Sequence, residues 1–241
     1  MLRKPLLLLF FLAIAPISIA QELTGPQLLD KAIAHHDPNG IWKNFQGNLR
    51  VTMQTPDRSD RISAIHMDFP KQYFQLEATR DSISTGYTLS GKECSVFLNG
   101  LTEVSAADKK KYRLDCERGQ FMKNYYTYLY GLPMKLKDPG TILDEKVQSK
   151  TFKGKEYVVL KASYDEAVGK DVWYFYFDPK TYALEVYQFY HDEAKNDGEY
   201  IILSGTEDIQ GIKMPKTRAW YYNSNDKYLG TDILSKGGRG Q

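Results

Sequence analysis

From Asn44 to about Leu234 the chain is almost continuously two-residue periodic, broken by short turns and by a single helical stretch. Phe45, Gly47, Leu49, Val51 and Met53 alternate with polar neighbours. Ser63, Ile65, Met67 and Phe69 do the same, and Phe74, Leu76 and Ala78 follow Pro70. Further short strands fit 83–90, 93–98, 144–152, 156–164, 171–178, 182–190, 199–208, 212–221 and 228–234. Side chains on a strand alternate between faces, so each segment presents one apolar face that must be covered. About eleven strands joined by turns make an antiparallel meander rather than a βαβ fold. A twisted sheet of that size has to curl. The expected fold class is mainly β with a few helices: a strongly curved antiparallel sheet forming a half-open barrel lidded by α-helices.

Helical spacing occurs in two places. Leu28, Leu29, Ala32 and Ile33 follow Thr24 as a cap, with Pro26 in the first turn, and "HHDPNG" ends the segment. Ser105 and Asp108 open "SAADKKKY" in the manner of a capping box. A longer helix fits about Arg118 to Tyr130, with Phe121, Met122, Tyr125, Tyr128 and Leu129 as its apolar stripe, before Gly131 and Pro133.

Residues 1–20 read as a secretory signal peptide: Arg3 and Lys4, an apolar run to Ile19, then small residues before Gln21. Pro16 and the shortness of the run argue against a spanning helix. The chain carries 32 basic and 30 acidic residues, and the leader holds two of the former and none of the latter. The remainder is neutral, which removes any electrostatic case for nucleic acid or an anionic membrane. The expected organisation is 1–20 leader, 21–235 one half-barrel domain and 236–241 flexible tail, in a periplasmic protein that does not span the membrane after cleavage. Export places Cys94 and Cys116 in an oxidising space, where they form a disulfide or remain two buried thiols.

Motifs for chemistry fail on inspection. "GYTLSGKE" has Glu93 where a nucleotide loop needs a hydroxyl, and strand follows it. His35 and His36 are adjacent on a helix and point about 100° apart, a poor start for a metal site. No nucleophile elbow is present. No catalytic residue, metal or cofactor is expected, and only a cleft with two carboxylates or a His–Asp pair would argue for a hydrolase.

The aromatic hairpin "WYFYFDPKTYALEVYQFYHDE", Trp173 to Glu193, is the best candidate for a ligand wall. With a four-residue loop at Asp178–Thr181, Phe177 faces Tyr182, Phe175 faces Leu184 and Trp173 faces Val186. Trp173, Phe175, Phe177, Leu184 and Val186 then share an apolar face with Leu160, opposite a tyrosine face of Tyr174, Tyr176 and Tyr187.

"YLYGLPMKLKDPGT", "GKDVWYFYFDPKTYALEVYQFYHDE" and "GIKMPKTRAWYY" together resemble an uncharacterised family of exported proteins from Bacteroidota-type bacteria. The resemblance extends over the mature chain, including both cysteines. That family is similar in architecture to the LolA/LolB-type lipoprotein carriers, half-open barrels whose apolar concave face receives acyl chains. The resemblance implies a soluble binding protein for a lipid, lipoprotein or other apolar ligand. Phe121, Tyr125, Leu132 and Met134 would then form the movable cover. An acyl chain gains about 0.8 kcal/mol per methylene on leaving water, enough to offset lid opening. The alternative is an envelope sensor or scaffold with a protein partner and a packed core. The cavity decides: an apolar void of several hundred Å³ suits a ligand, and a filled interior suits the scaffold.

Overall fold

The computed structural model describes residues 23–238, so the expected leader and the last three residues of the expected tail lie outside the described residues. Thirteen strands form one antiparallel sheet: β1 (Gln46–Thr55), β2 (Arg58–Asp68), β3 (Tyr73–Arg80), β4 (Ile83–Ser90), β5 (Glu93–Leu98), β6 (Thr141–Leu143), β7 (Gln148–Phe152), β8 (Lys155–Tyr164), β9 (Val172–Phe177), β10 (Leu184–Asp192), β11 (Asp197–Ile209), β12 (Ile212–Tyr222) and β13 (Tyr228–Lys236). The order across the sheet is β5-β4-β3-β2-β1-β13-β12-β11-β10-β9-β8-β6, with β7 also paired to β8. The long-range pairing of β1 with β13 joins the two halves, and β5 and β6 stay unpaired with each other. The sheet is therefore curved and unclosed.

The expected strand over 144–152 is two strands. β6 and β7 lie end to end along the same edge of β8, and Asp144–Val147 bends away between them. The bend is held by the first helix, α1 (Gly25–His36): Gly25 N–H donates to the Glu145 carbonyl at 2.8 Å, and Thr24 bridges to Lys146. A Cβ on Gly25 would stand 1.9 Å from the Asp144 carbonyl oxygen, so glycine is what allows helix and edge to meet. Thr24 caps α1 through a reciprocal box with Gln27.

α2 (Ala106–Tyr112) is capped by Ser105, which accepts from Asp108 N–H at 3.1 Å. α3 (Cys116–Gly131) starts at Asp115, whose side chain accepts from Arg118 N–H at 2.7 Å. Sixteen residues give it a length of about 24 Å. It crosses the inner face of the sheet from Tyr87 on β4, past Ser63 on β2, to Arg218 on β12 and Trp173 on β9. Its buried residues are Gly119, Met122, Tyr126, Leu129, Tyr130 and Gly131. The expected stripe is therefore rotated: Phe121 is 53 % exposed, and Tyr125 and Tyr128 are flanking, partly buried residues. Gly119 sets the rotation. It rests on the Tyr87 ring, only 3.0 Å from where a Cβ would be, and the face through it passes through Met122 and Tyr126 rather than Phe121.

Cys94 on β5 and Cys116 at the head of α3 are joined as a disulfide, with Cα atoms 5.9 Å apart. The bond ties the helix to the edge strand.

Two apolar clusters result. The larger lies between the inner face and the helices, and includes Leu28, Leu29, Phe45, Ile65, Phe74, Leu160, Phe175, Phe177 and Ile201. The smaller sits on the outer face and comprises Tyr157, Val159, Tyr174, Tyr176 and Val186.

Candidate functional site

The aromatic hairpin departs from its expected register. Phe177 pairs with Leu184, but Val186 pairs with Tyr176, Tyr187 with Phe175 and Phe189 with Trp173. The connection is six residues, Asp178 to Ala183, with Tyr182 in the left-handed region at φ 59°. Asp178 organises it by accepting from the N–H groups of Lys180 and Thr181 and from the Thr181 hydroxyl. These bonds, with Lys155 at 3.0 Å, hold its carboxyl well below the usual carboxylate range. A bulge at Glu185 then shifts the strand by one residue. Every side chain beyond it changes face. Val186 is consequently in the outer cluster with Tyr174 and Tyr176, and Tyr187, expected outside, is in the inner one. The inner wall is Trp173, Phe175, Phe177, Leu184, Tyr187 and Phe189, with Trp173 stacked on Phe189 at 4.8 Å between ring centres.

This wall is covered. Phe175, Phe177 and Leu160 have no exposed surface, and Leu184, Leu132 and Met134 are buried as well. Leu132 and Met134 follow α3, across a cis Leu132–Pro133 peptide, and pack into the same core. Phe121 stands apart on the outside of α3, under the Arg118 guanidinium at 4.6 Å. At the open end of this inner wall, Trp173 borders open space.

That space is a cleft of about 380 Å³ at the unclosed side of the sheet. The end of α3 supplies Asn124, Thr127 and Tyr128, the following turn Lys135, Asp138 and Pro139, β6 Thr141, and the β8–β9 region Tyr164, Val168, Asp171 and Trp173. Tyr128 stacks edge-on against Trp173 at 5.4 Å and hydrogen-bonds through its hydroxyl to the Tyr164 hydroxyl. Burial pushes both phenols up, Tyr164 to about 12, so the pair is neutral at any physiological pH. The cleft thus holds two carboxylates and a His–Asp pair, the features that would argue for a hydrolase, but each carboxylate is already engaged: Asp138 is bonded by Lys135, and Asp171 accepts from His191 at 2.7 Å. The hydrogen bond to Asp171 raises the His191 imidazole above its ordinary value, favouring the imidazolium. The rim is thus polar with its carboxylates hydrogen-bonded, and the floor is aromatic.

The cleft residues Tyr128, Lys135, Asp138, Pro139 and Thr141 all lie in "YLYGLPMKLKDPGT", and Asp171 and Trp173 open "GKDVWYFYF". Two of the motifs that carried the family resemblance therefore meet in space. Treating them as one surface would have found this site from sequence; reading only the greasiest hairpin did not.

His36, expected as part of a polar helix end, is instead a buried clamp. Nδ1 donates to the Lys213 carbonyl at 2.6 Å, and Nε2 accepts from Leu184 N–H at 2.9 Å. Desolvation lowers its pKa to about 4, and the ring is neutral. Among the described residues no group of three or more His, Cys, Asp or Glu could hold a metal ion. No described helix is long and apolar enough to cross a membrane.

An unclosed antiparallel sheet wrapped around a diagonal helix is a LolA-like fold. The chain aligns with the crystal structure of a LolA superfamily protein from Nitrosomonas europaea at a TM-score of 0.52 and 12 % identity, over 90 % of this chain and 94 % of that one. A putative outer membrane lipoprotein-sorting protein domain from Vibrio parahaemolyticus aligns at TM-score 0.48 and 11 % identity, covering 88 % and 89 %. A DUF1329 family protein from Desulfovibrio piger aligns at 0.49 and 8 %, covering 90 % and 94 %. In sequence, residues 5–236 match the model of a family of unknown function, DUF6503, and the chain belongs to that family. No curated protein matches it.

Proposed function

We propose that this protein is an exported binding protein of the carrier type, taking an acylated or otherwise apolar ligand between α3 and the inner face of the sheet. The observation that supports this best is the cleft at the end of α3. It falls within the range of ligand pockets, opens at the unclosed side of a carrier-type sheet, and has Trp173 at its floor. Behind Trp173 lie Phe175, Phe177, Leu184 and Leu160, in the same buried cluster as Leu132 and Met134, with Tyr125 packed against that cluster. A chain entering at Trp173 would lever the end of α3 outward while the Cys94–Cys116 bond holds its head. About 0.8 kcal/mol per methylene transferred from water opposes the loss of those contacts. The polar rim at Lys135, Asp138 and Asp171 would face the ligand's head group.

A second reading has its own support. The interior is filled, as an envelope sensor or interaction scaffold with no ligand would require. Native mass spectrometry of protein purified from its own envelope, together with Trp173→Ala, separates the two. The carrier reading expects a co-purified lipid or acyl chain in the wild type and its loss in the variant. Stoichiometric capture of a protein partner with no lipid, unchanged by delipidation, would refute it.

A further inference from the structure

Where β1 turns into β2, the inner face ends in a second cleft of about 280 Å³, lined by Met53, Thr55, Asp57, Arg58, Arg61 and Arg80 among others. Arg61 and Arg80 are direct cross-strand partners on β2 and β3, so their side chains rise from the same face. Like charges so placed repel and destabilise the pair they sit on. Their positions continue the inner rows through Ser63, Ile65 and Met67 and through Phe74, Leu76 and Ala78. Among the described residues no ion pair involves Arg58, Arg61 or Arg80.

The cleft also contains donors with nothing to bond. Arg61 Nε and Thr55 Oγ1 are both buried without a hydrogen-bond partner. The Arg61 side chain has one hydrogen bond, from Nη2 to the Tyr126 hydroxyl at 3.5 Å. Asp57 is the acid among the lining residues, so three guanidinium groups against one carboxylate leave a formal charge of +2. Deeper in the sheet, Asp232 is buried beside its cross-strand partner Arg218, which supplies the first counter-charge to it. Arg61 is the second counter-charge to that carboxylate and also lines the cleft.

We propose that this cleft is a phosphate site, with Arg58, Arg61 and Arg80 as its ligands and Thr55 as a supporting hydroxyl. Guanidinium groups match phosphate oxygens in geometry, and a phosphate monoester carries close to two negative charges at neutral pH. A bound phosphate removes the Arg61–Arg80 repulsion and gives Arg61 Nε its acceptor. The site lies at the β1–β2 end and does not depend on the apolar-ligand reading. The phosphate belongs either to a lipid head group or to a soluble phosphate ester.

The test uses the exported chain, with inorganic phosphate titrated against chloride at matched ionic strength and binding read by calorimetry and by the thermal midpoint. Wild type should bind phosphate and melt higher in it. Arg61→Gln and Arg80→Gln should each weaken binding about tenfold or more, and Lys170→Gln, remote and exposed, should not. Without phosphate, Arg80→Gln should melt no lower than wild type, which shows that lost binding is not lost folding. Flotation with phosphatidylcholine vesicles, plain or doped with phosphatidic acid, assigns the source. Arginine-dependent capture by the doped vesicles identifies a head group, and phosphate binding without capture identifies a soluble ester. Equal responses to phosphate and chloride, or binding unchanged in the doubly substituted Arg61→Gln/Arg80→Gln, would overturn the proposal.

Discussion

Replacing His36 by Gln tests whether α1 is clamped to the sheet as the structure describes. The imidazole donates to the Lys213 carbonyl and accepts from Leu184 N–H, so both ring nitrogens are occupied only in the neutral form. Desolvation first, then the neighbouring His35 and the charges of Lys213 and Arg218, oppose protonation; they outweigh the hydrogen bond to the Lys213 carbonyl, which favours it, and bring the pKa from 6.5 to about 4. The unfolded chain therefore takes up a proton at this residue before the folded one does. Stability contributed by His36 is present above about pH 6.5, declines as pH falls through the window to about 4, and is fully lost below it. The shift corresponds to roughly 2 kcal/mol between about pH 7 and pH 5, and about 3 kcal/mol at its limit. Gln retains a donor and an acceptor but does not titrate. Near neutral pH the variant should be less stable by about 1–2 kcal/mol from poorer hydrogen-bond geometry. Urea denaturation followed by fluorescence of the three tryptophans gives the free energies of both proteins across the window. Between pH 7 and 5 the difference should move by about 2 kcal/mol in favour of the variant, closing the gap or reversing its sign. Taking the difference removes His191, whose raised value gives the opposite slope, and His35, whose lowered value gives the same one. A gap that stays constant across that range would mean that His36 is not held neutral, and the clamp would be wrong.

The disulfide closes a loop of 22 residues, so Cys94→Ala/Cys116→Ala should lower stability by about 3 kcal/mol in the chain-entropy description, and added reductant should have no further effect on the variant. On α3, Met122→Ala should cost about 2–5 kcal/mol and Phe121→Ala less than about 0.5, by thermal or urea denaturation; similar costs would restore the unrotated stripe. Gly86→Ala would set a Cβ 2.0 Å from Phe97 Cζ and 2.3 Å from the Leu76 carbonyl oxygen, and should destabilise β4 by about 3 kcal/mol in the same assay.

Much of this fold was legible in the sequence because local chemistry suffices to specify it. Two-residue alternation marks strands wherever one face is buried and the other wet, and Thr24, Ser105 and the Gly91 turn are punctuated by their own side chains or backbone freedom. The inward faces of Leu160, Phe175 and Phe177 were equally legible, and all three are in the inner cluster. The alternation itself decided those faces.

What tertiary structure decided follows from interactions between distant segments. The bulge at Glu185 moves Val186 outward and Tyr187 inward, and no pattern within Leu184–Tyr187 announces the slip, because all but one of those side chains are hydrophobic. The rotation of α3 depends on Gly119 meeting Tyr87, and the split between β6 and β7 depends on Gly25 meeting Asp144. Whether the interior is filled is likewise a matter of packing: the same apolar rows could line a void or close on a helix, and here Tyr126, Leu129 and Tyr130 close them. Residue alternation therefore determined that the chain makes a curved sheet with one apolar face. Only the meeting of remote elements determined that this face is covered, and that open space remains beside Trp173 and around Arg61.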